Sequence, residues 1–208
     1  MVNYNLDHLT QDDHQIVVGP IQDDEALFLY SIIRGMKLNR ILEIGGLAGY
    51  SAKNFIQSMV TVDGILYTVE INPTCPQIAP NHKVIIKNAC DLVMTDVDNK
   101  PIDLIFFDCH DIVQLDIYDK MVQNGIITDA TILALHDTNL HYKKYVNFAI
   151  YVPEEDAYAH QTVERHMVNI FKERGYDIFS LHTTRERHND AFPFRHGVTI
   201  CQKFKKLL

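Results

Sequence analysis

The sequence predicts an α/β fold: a doubly wound, mostly parallel sheet of seven strands with an antiparallel edge at its C-terminal end. Short β-branched runs alternate with amphipathic helical segments along most of the chain, which is typical of a parallel sheet with helices on both faces. The runs are predominantly apolar, as strands covered on both faces are. The last two strands are separated by a polar loop instead of a helix, which favours antiparallel pairing there.

Five apolar runs are predicted as parallel strands, and three amphipathic segments as helices beside them. The strands cover residues 40–44, 65–69, 83–86, 102–107 and 131–135. The helices cover residues 23–36, 51–59 and 112–123. The first helix places one apolar stripe on the core, formed by Ala26, Leu27, Leu29, Tyr30 and Ile33. Ser51 and Asp111 are predicted to cap the second and third helices, because short polar side chains accept the first backbone N–H groups of a helix.

The C-terminal third departs from the alternation. A helix over residues 162–174 is ended by Gly175, and strands follow over 176–182 and 197–204, joined by a long polar loop over 183–197. Residues 140–159 are rich in tyrosine and show little periodicity, so they form either a lid over a substrate or a surface excursion. The chain is predicted to be one domain over 1–208, with residues 1–38 as an N-terminal helical cap and 140–160 as the candidate lid insertion.

Charge and composition exclude several classes of protein. The chain has 27 acidic and 19 basic residues, a net charge of −8, which disfavours a nucleic-acid or anionic-membrane partner because both need a cationic surface. No stretch approaches the roughly 18 apolar residues of a membrane span, and the first residues do not have the pattern of a secretory signal. The four cysteines show no paired spacing, so they are expected to be reduced thiols in a cytoplasmic protein.

A glycine-rich turn, Glu43-Ile-Gly-Gly-Leu-Ala-Gly49, follows the first predicted strand. A dinucleotide-binding loop reads G-x-G-x-x-G, whereas Leu47 occupies the place of its second glycine. Glu43 disfavours a pyrophosphate and favours a ligand with a cationic amine, such as S-adenosylmethionine. Glu70 ends the second strand, 21 residues after Gly49, where a carboxylate can accept hydrogen bonds from ribose hydroxyls. An ordinary strand–turn–helix connection is the alternative.

Two aspartates, Asp108 and Asp137, follow neighbouring predicted strands. Both project at the carboxyl edge of a parallel sheet, where they can share a cation, and oxygen ligands suit Mg²⁺ or Mn²⁺. His110 and His136 lie beside these acids, and either is a candidate general base near neutral pH. The alternatives are that Asp137 caps a turn and that His136 is a hydrogen-bonded histidine at a strand end.

These motifs together resemble class I S-adenosylmethionine-dependent methyltransferases. The resemblance covers nearly the whole chain and follows the order of the family's segments, which here read GPIQDDEALFLYSII, RILEIGGLAGYSA, VEINP, KNACDL, IDLIFFDCH, ILALHDT and HGVTICQK. Within that family the chain is most similar to the small metal-dependent O-methyltransferases, in the branch that includes cephalosporin-hydroxylase-like proteins. The resemblance implies a Rossmann-like methyltransferase sheet.

The resemblance also implies roles for individual residues. It places the cofactor along the sheet edge, on Glu43, Gly45, Gly46, Gly49, Tyr50 and Ser51 for methionine, Glu70 and Ile71 for ribose, and Cys90, Asp91 and Asp108 toward adenine and the reacting end. The family's third metal ligand follows the second aspartate as Asn or precedes it as Glu. Here Thr138 and His136 hold those places and Asn139 comes next, so the expected ligand set is Asp108, His136 and Asp137.

Two departures from the family pattern are informative. The family's lysine, three residues after the first aspartate, is replaced by Asp111, which makes His110 the better candidate base. Residues 72–81 hold three prolines where the family has a helix, so this connection is expected to be extended.

The expected activity is therefore methyl transfer from S-adenosylmethionine to a hydroxyl oxygen of a small molecule, a sugar or another polyhydroxylated metabolite, with help from Mg²⁺, Mn²⁺ or a histidine base. A homo-oligomer is an open alternative to a monomer. Two other functions stay open. One is a non-catalytic S-adenosylmethionine-binding or interaction protein, and the other, less favoured because of Leu47, is an NAD-dependent dehydrogenase.

Overall fold

The computed structural model describes residues 21, 23–59, 61, 63–109, 113–138, 149–152, 157–160, 163–182 and 197–203. Four α-helices lie in this part of the chain: α1 (Asp23–Met36), α2 (Tyr50–Ser58), α3 (Gln114–Gln123) and α4 (Val163–Glu173). The strands are β1 (Arg40–Ile44), β2 (Ile65–Glu70), β3 (His82–Ile86), β4 (Leu104–Phe107), β5 (Ile132–His136), β6 (Ala149–Val152), β7 (Ala157–His160), β8 (Asp177–Leu181) and β9 (Val198–Gln202). None of these helices has the length and apolar character needed to cross a bilayer.

Seven of the strands form one sheet in the order β3-β2-β1-β4-β5-β9-β8. Strands β1 to β5 pair in parallel, whereas β9 is antiparallel to both β5 and β8. The prediction of a mostly parallel seven-stranded sheet with an antiparallel C-terminal edge is confirmed. The chain reverses its direction of winding between β1 and β4, and α/β proteins bind ligands in the crevice outside such a switch point.

Helices cover both faces of the sheet and create two apolar cores. On one face α1 and α2 pack on alternate residues of the central strands, among them Ile41, Leu66 and Phe106. On the other face α3 and α4 pack on the remaining residues, among them Leu42 and Phe107. Because successive strand residues point to opposite faces, the continuous apolar runs of the sequence supply both cores.

The structure corrects three predictions about the helices, one on a buried stripe and two on N-caps. Leu27 is 41% exposed, so it does not belong to the buried stripe of α1. The N-cap of α2 is Gly49, with no side-chain hydrogen bond; Ser51 lies inside the helix, buried, and donates to a carboxylate instead. Helix α3 begins at Gln114, with Val113 as its N-cap, and Asp111 lies outside the described residues.

The predicted insertion contains regular structure that its sequence did not indicate. Strands β6 and β7 form a separate antiparallel pair, with Ala149 opposite His160 and Val152 opposite Ala157. Their sequences, AIYV and AYAH, do not show the clear apolar–polar alternation that identifies a half-buried strand. The predicted long loop over 183–197 lies outside the described residues except for Gly197.

Candidate active site

The glycine-rich turn begins in a narrow gap between the ends of β2 and β4. The amide of Gly45 donates to the carbonyl of Val69 at 3.1 Å, and the amide of Asp108 donates to the carbonyl of Ile44 at 3.0 Å. Gly45 has φ +89°, and a Cβ atom there would lie 2.6 Å from the carbonyl oxygen of Asp108. Only glycine adopts this positive φ without strain and also leaves room for the carbonyl group of Asp108. Gly45 therefore allows the turn to approach the end of β4 closely.

Replacing Gly45 by alanine is expected to destabilise the protein more than the same change at Gly125. Both residues have positive φ, but a Cβ at Gly125 (φ +75°) has nothing within 4 Å. The left-handed backbone costs roughly 1–2 kcal/mol in both variants, and the clash at Gly45 adds about 1–3 kcal/mol. Urea denaturation measures the difference. Equal losses of unfolding free energy would show that the turn relaxes away from Asp108.

Glu70 holds the turn from the end of β2. One carboxylate oxygen, Oε1, accepts hydrogen bonds from the amides of Gly46 at 2.6 Å and Leu47 at 2.5 Å. Leu47, at the place of the missing glycine, has φ +40° and a side chain that is 67% exposed. Glu70 therefore lies beside the turn at the crevice. Its ribose-binding role stays a prediction, and because Oε1 already accepts from the turn, Oε2 is the oxygen expected to accept from the ribose.

Glu43 is buried beneath the turn, away from the crevice. Its side chain is 0% exposed; Ser51 Oγ donates to Oε1, and Thr68 Oγ1 donates to Oε2 at 2.6 Å. Burial raises the pKa of Glu43 to about 7, against the lowering effect of the Ser51 and Thr68 hydrogen bonds and with a further rise from Asp108 and Glu70. This geometry does not support the expectation that Glu43 meets the amine of a ligand.

A chain of hydrogen bonds extends from Glu43 to the connection between β2 and β3. His82 Nδ1 accepts from the amide of Ile78 at 3.2 Å, so the ring hydrogen is assigned to Nε2. Nε2 then donates to Thr68 Oγ1 at 2.9 Å, and Thr68 donates to Glu43. Burial lowers the pKa of His82, which keeps the ring neutral. The sequence signal that was missed is a polar residue inside each of two neighbouring strands, Thr68 in β2 and His82 in β3, both of which are fully buried.

The stability of the protein is expected to depend on pH through Glu43. This carboxyl group titrates near 4.5 in the unfolded chain and about 7 in the folded protein. The folded state therefore binds the proton more tightly, and the resulting stabilisation is present below pH 4.5 and lost as pH rises through about 7. At pH 8 the loss is roughly 3 kcal/mol.

The comparison of wild type with Glu43→Gln isolates this effect, because glutamine keeps the size of the side chain and does not titrate. Between pH 5 and pH 8 the unfolding free energy of wild type should fall relative to that of the variant, by roughly 3 kcal/mol. Urea denaturation at several pH values gives both curves. Parallel curves would contradict the raised pKa of Glu43.

The residues predicted for the far end of the ribose and for the adenine follow β2 and β3. Ile71 is 66% exposed, and Cys90 and Asp91 belong to a short 3-10 helix that begins after Asn88, whose Oδ1 accepts from the Cys90 amide at 2.9 Å. Residues 71–81 contain no helix in the structure, as their prolines predicted. The partly exposed ring of Tyr50, at the start of α2, lies 5.8 Å from Lys53 Nζ.

The two strand-end aspartates meet around His136. Asp108 follows β4, and Asp137 follows β5 with φ +54°. His136 Nδ1 lies 2.9 Å from Asp108 Oδ1 and 3.6 Å from Asp137 Oδ2. One donor atom from each of the three residues lies within 4.8 Å of the others. The structure thus brings together the three predicted metal ligands, and two oxygens with one nitrogen are a donor set that fits a divalent cation.

A further carboxylate, Glu25 of α1, contacts the same histidine. Its Oε2 lies 3.2 Å from His136 Nε2, and its Oε1 accepts from the Gly197 amide at 2.7 Å. Glu25 is 1% exposed and lies 111 residues from His136 in sequence. Sequence reasoning missed it; the available signal was an acidic residue on the apolar side of an amphipathic helix.

The surroundings of His136 weigh against its predicted role as a general base. Burial disfavours the charged ring, but the carboxylates of Asp137, Asp108 and Glu25 outweigh this and raise the pKa of His136 well above its ordinary value. Without a cation such a ring carries a hydrogen on both nitrogens; with a cation on Nδ1 and a hydrogen on Nε2 it likewise has no lone pair for a substrate proton. The other candidate base, His110, lies outside the described residues.

Thr138 is directed away from this cluster. Its hydroxyl lies 2.7 Å from Thr199 Oγ1 and 3.0 Å from His182 Nε2, on the side of β8 and β9. Thr138 is therefore not placed as a third ligand, and Asn139 lies outside the described residues. Among the described alternatives, His136 has the better position.

Solved structures share this architecture over most of the chain. An O-methyltransferase from Bacillus cereus in complex with S-adenosylhomocysteine (SAH) superposes with a TM-score of 0.64, at 16% identity, over 90% of this chain and 84% of that one. The chain has the methyltransferase fold. An SAH-bound Podospora anserina methyltransferase matches at TM-score 0.59 and 16% identity, over 86% and 78% of the two chains.

The methyltransferase fold also occurs in an O-methyltransferase from Streptomyces achromogenes that is involved in tomaymycin synthesis and was solved with S-adenosylmethionine. This structure matches at TM-score 0.59 and 15% identity, over 90% of this chain and 82% of that one. No protein-family model and no curated protein matches the sequence. At these identities the likeness establishes the fold, and the activity has to be argued from the site.

Proposed function

We propose that the protein is an S-adenosylmethionine-dependent O-methyltransferase acting on a hydroxylated small molecule. One observation carries the proposal. The turn that Glu70 holds and the cluster of Asp108, His136 and Asp137 occupy neighbouring strand ends at the switch point of a methyltransferase fold. A nucleoside donor and a hydroxyl acceptor bound there are side by side, as transfer between them requires.

The donor is proposed to lie across the ends of β3, β2, β1 and β4. The turn from Gly45 to Gly49 gives close backbone approach for the methionine part, and Glu70 Oε2 accepts from the ribose hydroxyls while Oε1 stays on the turn. Cys90 and Asp91, after β3, border the adenine. The Glu43 carboxyl group supports the turn from below and does not contact the donor.

The acceptor is proposed to lie over the cluster at the ends of β4 and β5. Asp108, Asp137 and His136 Nδ1 would hold a divalent cation, and Mg²⁺ or Mn²⁺ suits this donor set. Such a cation supplies positive charge that lowers the pKa of an acceptor hydroxyl. The carboxylates at this edge disfavour an anionic acceptor, which supports a neutral polyhydroxylated molecule such as a sugar.

Methyl transfer requires mainly that the donor and the acceptor are held in position and that the acceptor hydroxyl loses its proton. The methyl carbon leaves the sulfonium and forms a bond to the acceptor oxygen, the C–S bond breaks, and the thioether SAH remains. The hydroxyl proton passes to a base, for which His110 is the proposed residue. Holding the two reactants in line is the main contribution of the protein, because a sulfonium is already a good leaving group.

A thermal-shift comparison tests the proposal. We expect S-adenosylmethionine and SAH to raise the melting temperature and NAD to leave it unchanged, each with and without Mg²⁺. Stabilisation by NAD alone would contradict the proposal and favour the dehydrogenase alternative, and stabilisation by none of the three would also contradict the proposal.

Transfer of labelled methyl groups to a panel of sugars and phenols then separates an enzyme from a silent binder. Product formation that depends on the acceptor supports the enzyme. Tight SAH binding with no transfer to any acceptor favours the non-catalytic alternative.

A further inference from the structure

We infer that Glu25 is a positioning residue: it orients His136 so that Nδ1 is the ring nitrogen presented to a divalent cation between Asp108 and Asp137. The inference rests on the proposed function, because it assigns a role in the metal site proposed there. It adds to that site a buried carboxylate from α1, a helix that contributes none of the expected ligands.

The two ring nitrogens of His136 have different surroundings. Nε2 lies 3.2 Å from Glu25 Oε2, inside the protein, where both side chains are almost fully buried. Nδ1 lies between the two aspartates. Because a carboxylate accepts and cannot donate when ionised, Glu25 keeps a hydrogen on Nε2 and leaves Nδ1 as the nitrogen with an available lone pair once a cation replaces its hydrogen.

The distances around Nδ1 suit ligands of one ion. Donor atoms about 2.1 Å from an octahedral Mg²⁺ or Mn²⁺ are roughly 3 Å apart when they are adjacent. Nδ1 lies 2.9 Å from Asp108 Oδ1, which matches this separation, and 3.6 Å from Asp137 Oδ2, which is somewhat longer. In protein metal sites the second nitrogen of a ligating histidine commonly donates to a carboxylate, which fixes the ring orientation. Glu25 has that position here.

Glu25 is itself held in place by its second oxygen. Oε1 accepts from the amide of Gly197, at the start of β9, at 2.7 Å. The carboxylate therefore connects α1, the end of β5 and the start of β9. A purely structural role, fastening α1 to the sheet, would use the same contacts, so the test needs a measurement that such a role does not affect.

Mn²⁺ titration followed by electron paramagnetic resonance, on wild type and Glu25→Gln, supplies that measurement. Glutamine has the same size, but its amide can accept at only one of the two contacts, so either His136 or Gly197 loses its acceptor. We expect Mn²⁺ to bind Glu25→Gln about 10- to 100-fold more weakly than wild type, with SAH affinity nearly unchanged.

Glu164→Gln is the matched control. Glu164 is also a fully buried glutamate and accepts from Gln114 Nε2 at 2.5 Å, but it belongs to α4, on the opposite face of the sheet. Its replacement should leave Mn²⁺ affinity at the wild-type value. Equal Mn²⁺ affinity in wild type and Glu25→Gln, or an equal loss in both variants, would overturn the inference.

A second measurement uses only the wild-type protein and therefore remains possible if the Glu25→Gln variant does not fold. In wild type labelled with ¹⁵N-histidine, Mg²⁺ should shift the Nδ1 resonance of His136 while Nε2 stays protonated. An unchanged Nδ1 resonance, or a wild-type protein that binds no Mn²⁺, would also overturn the inference. The SAH titration judges the proposed function separately, because donor binding does not require the Glu25–His136 contact.

Discussion

Asp137→Asn is expected to abolish methyl transfer while leaving SAH affinity nearly unchanged. Asp137 is 1% exposed, and its Oδ2 lies 3.6 Å from His136 Nδ1, so the change removes one charge from the proposed acceptor site. Asparagine tolerates the left-handed backbone (φ +54°) of this position, which keeps the turn intact. A loss of several kcal/mol of charge stabilisation corresponds to at least about 100-fold in turnover.

Turnover measured with labelled S-adenosylmethionine, alongside SAH titration, checks this prediction, and Asp108→Asn should behave alike. Asp119→Asn is the control, since Asp119 belongs to an exposed ion pair with Arg174 and should keep wild-type turnover. Full activity in the Asp137 and Asp108 variants, unaffected by a chelator, would remove the cation from the proposed reaction and leave a histidine base.

Glu70→Ala is expected to weaken S-adenosylmethionine binding by about 10-fold or more, since a hydrogen bond to a charged group contributes about 1.5–3 kcal/mol. Two effects combine. The ribose loses its acceptor, and the turn loses the oxygen that now accepts from the amides of Gly46 and Leu47. Isothermal titration calorimetry measures the affinity.

Glu70→Gln separates the two effects of the alanine change. Its amide oxygen can still accept from the turn, while the charged acceptor for the ribose is lost, so the affinity should lie between those of wild type and Glu70→Ala. Affinity that is unchanged in Glu70→Ala would reject the ribose assignment for this residue.

The parallel part of the sheet was predictable because its signal is local. In β1, β2, β4 and β5 nearly every residue is buried, so each strand appears in the sequence as a predominantly apolar run. Such runs followed by helical periodicity leave few topologies. The meeting of Asp108 and Asp137 could be predicted for the same reason, since the ends of neighbouring parallel strands share one edge.

The features that were missed depend on contacts between distant residues. The position of Glu25 on the apolar side of α1 indicates burial, but its partner His136 lies 111 residues away and cannot be identified from that local pattern. Glu43 was expected in the crevice, but its place in β1 directs it toward Ser51 and Thr68 under α2. The pair β6 and β7 was not predicted because AIYV and AYAH lack the apolar–polar alternation of a half-buried strand.

Calorimetric titration of the wild-type protein with SAH is the most direct test of donor binding. We expect saturable binding of one SAH per chain, with no comparable heat from NAD. No binding of SAH, or binding of NAD in its place, would contradict a methyl donor at the switch point between β1 and β4.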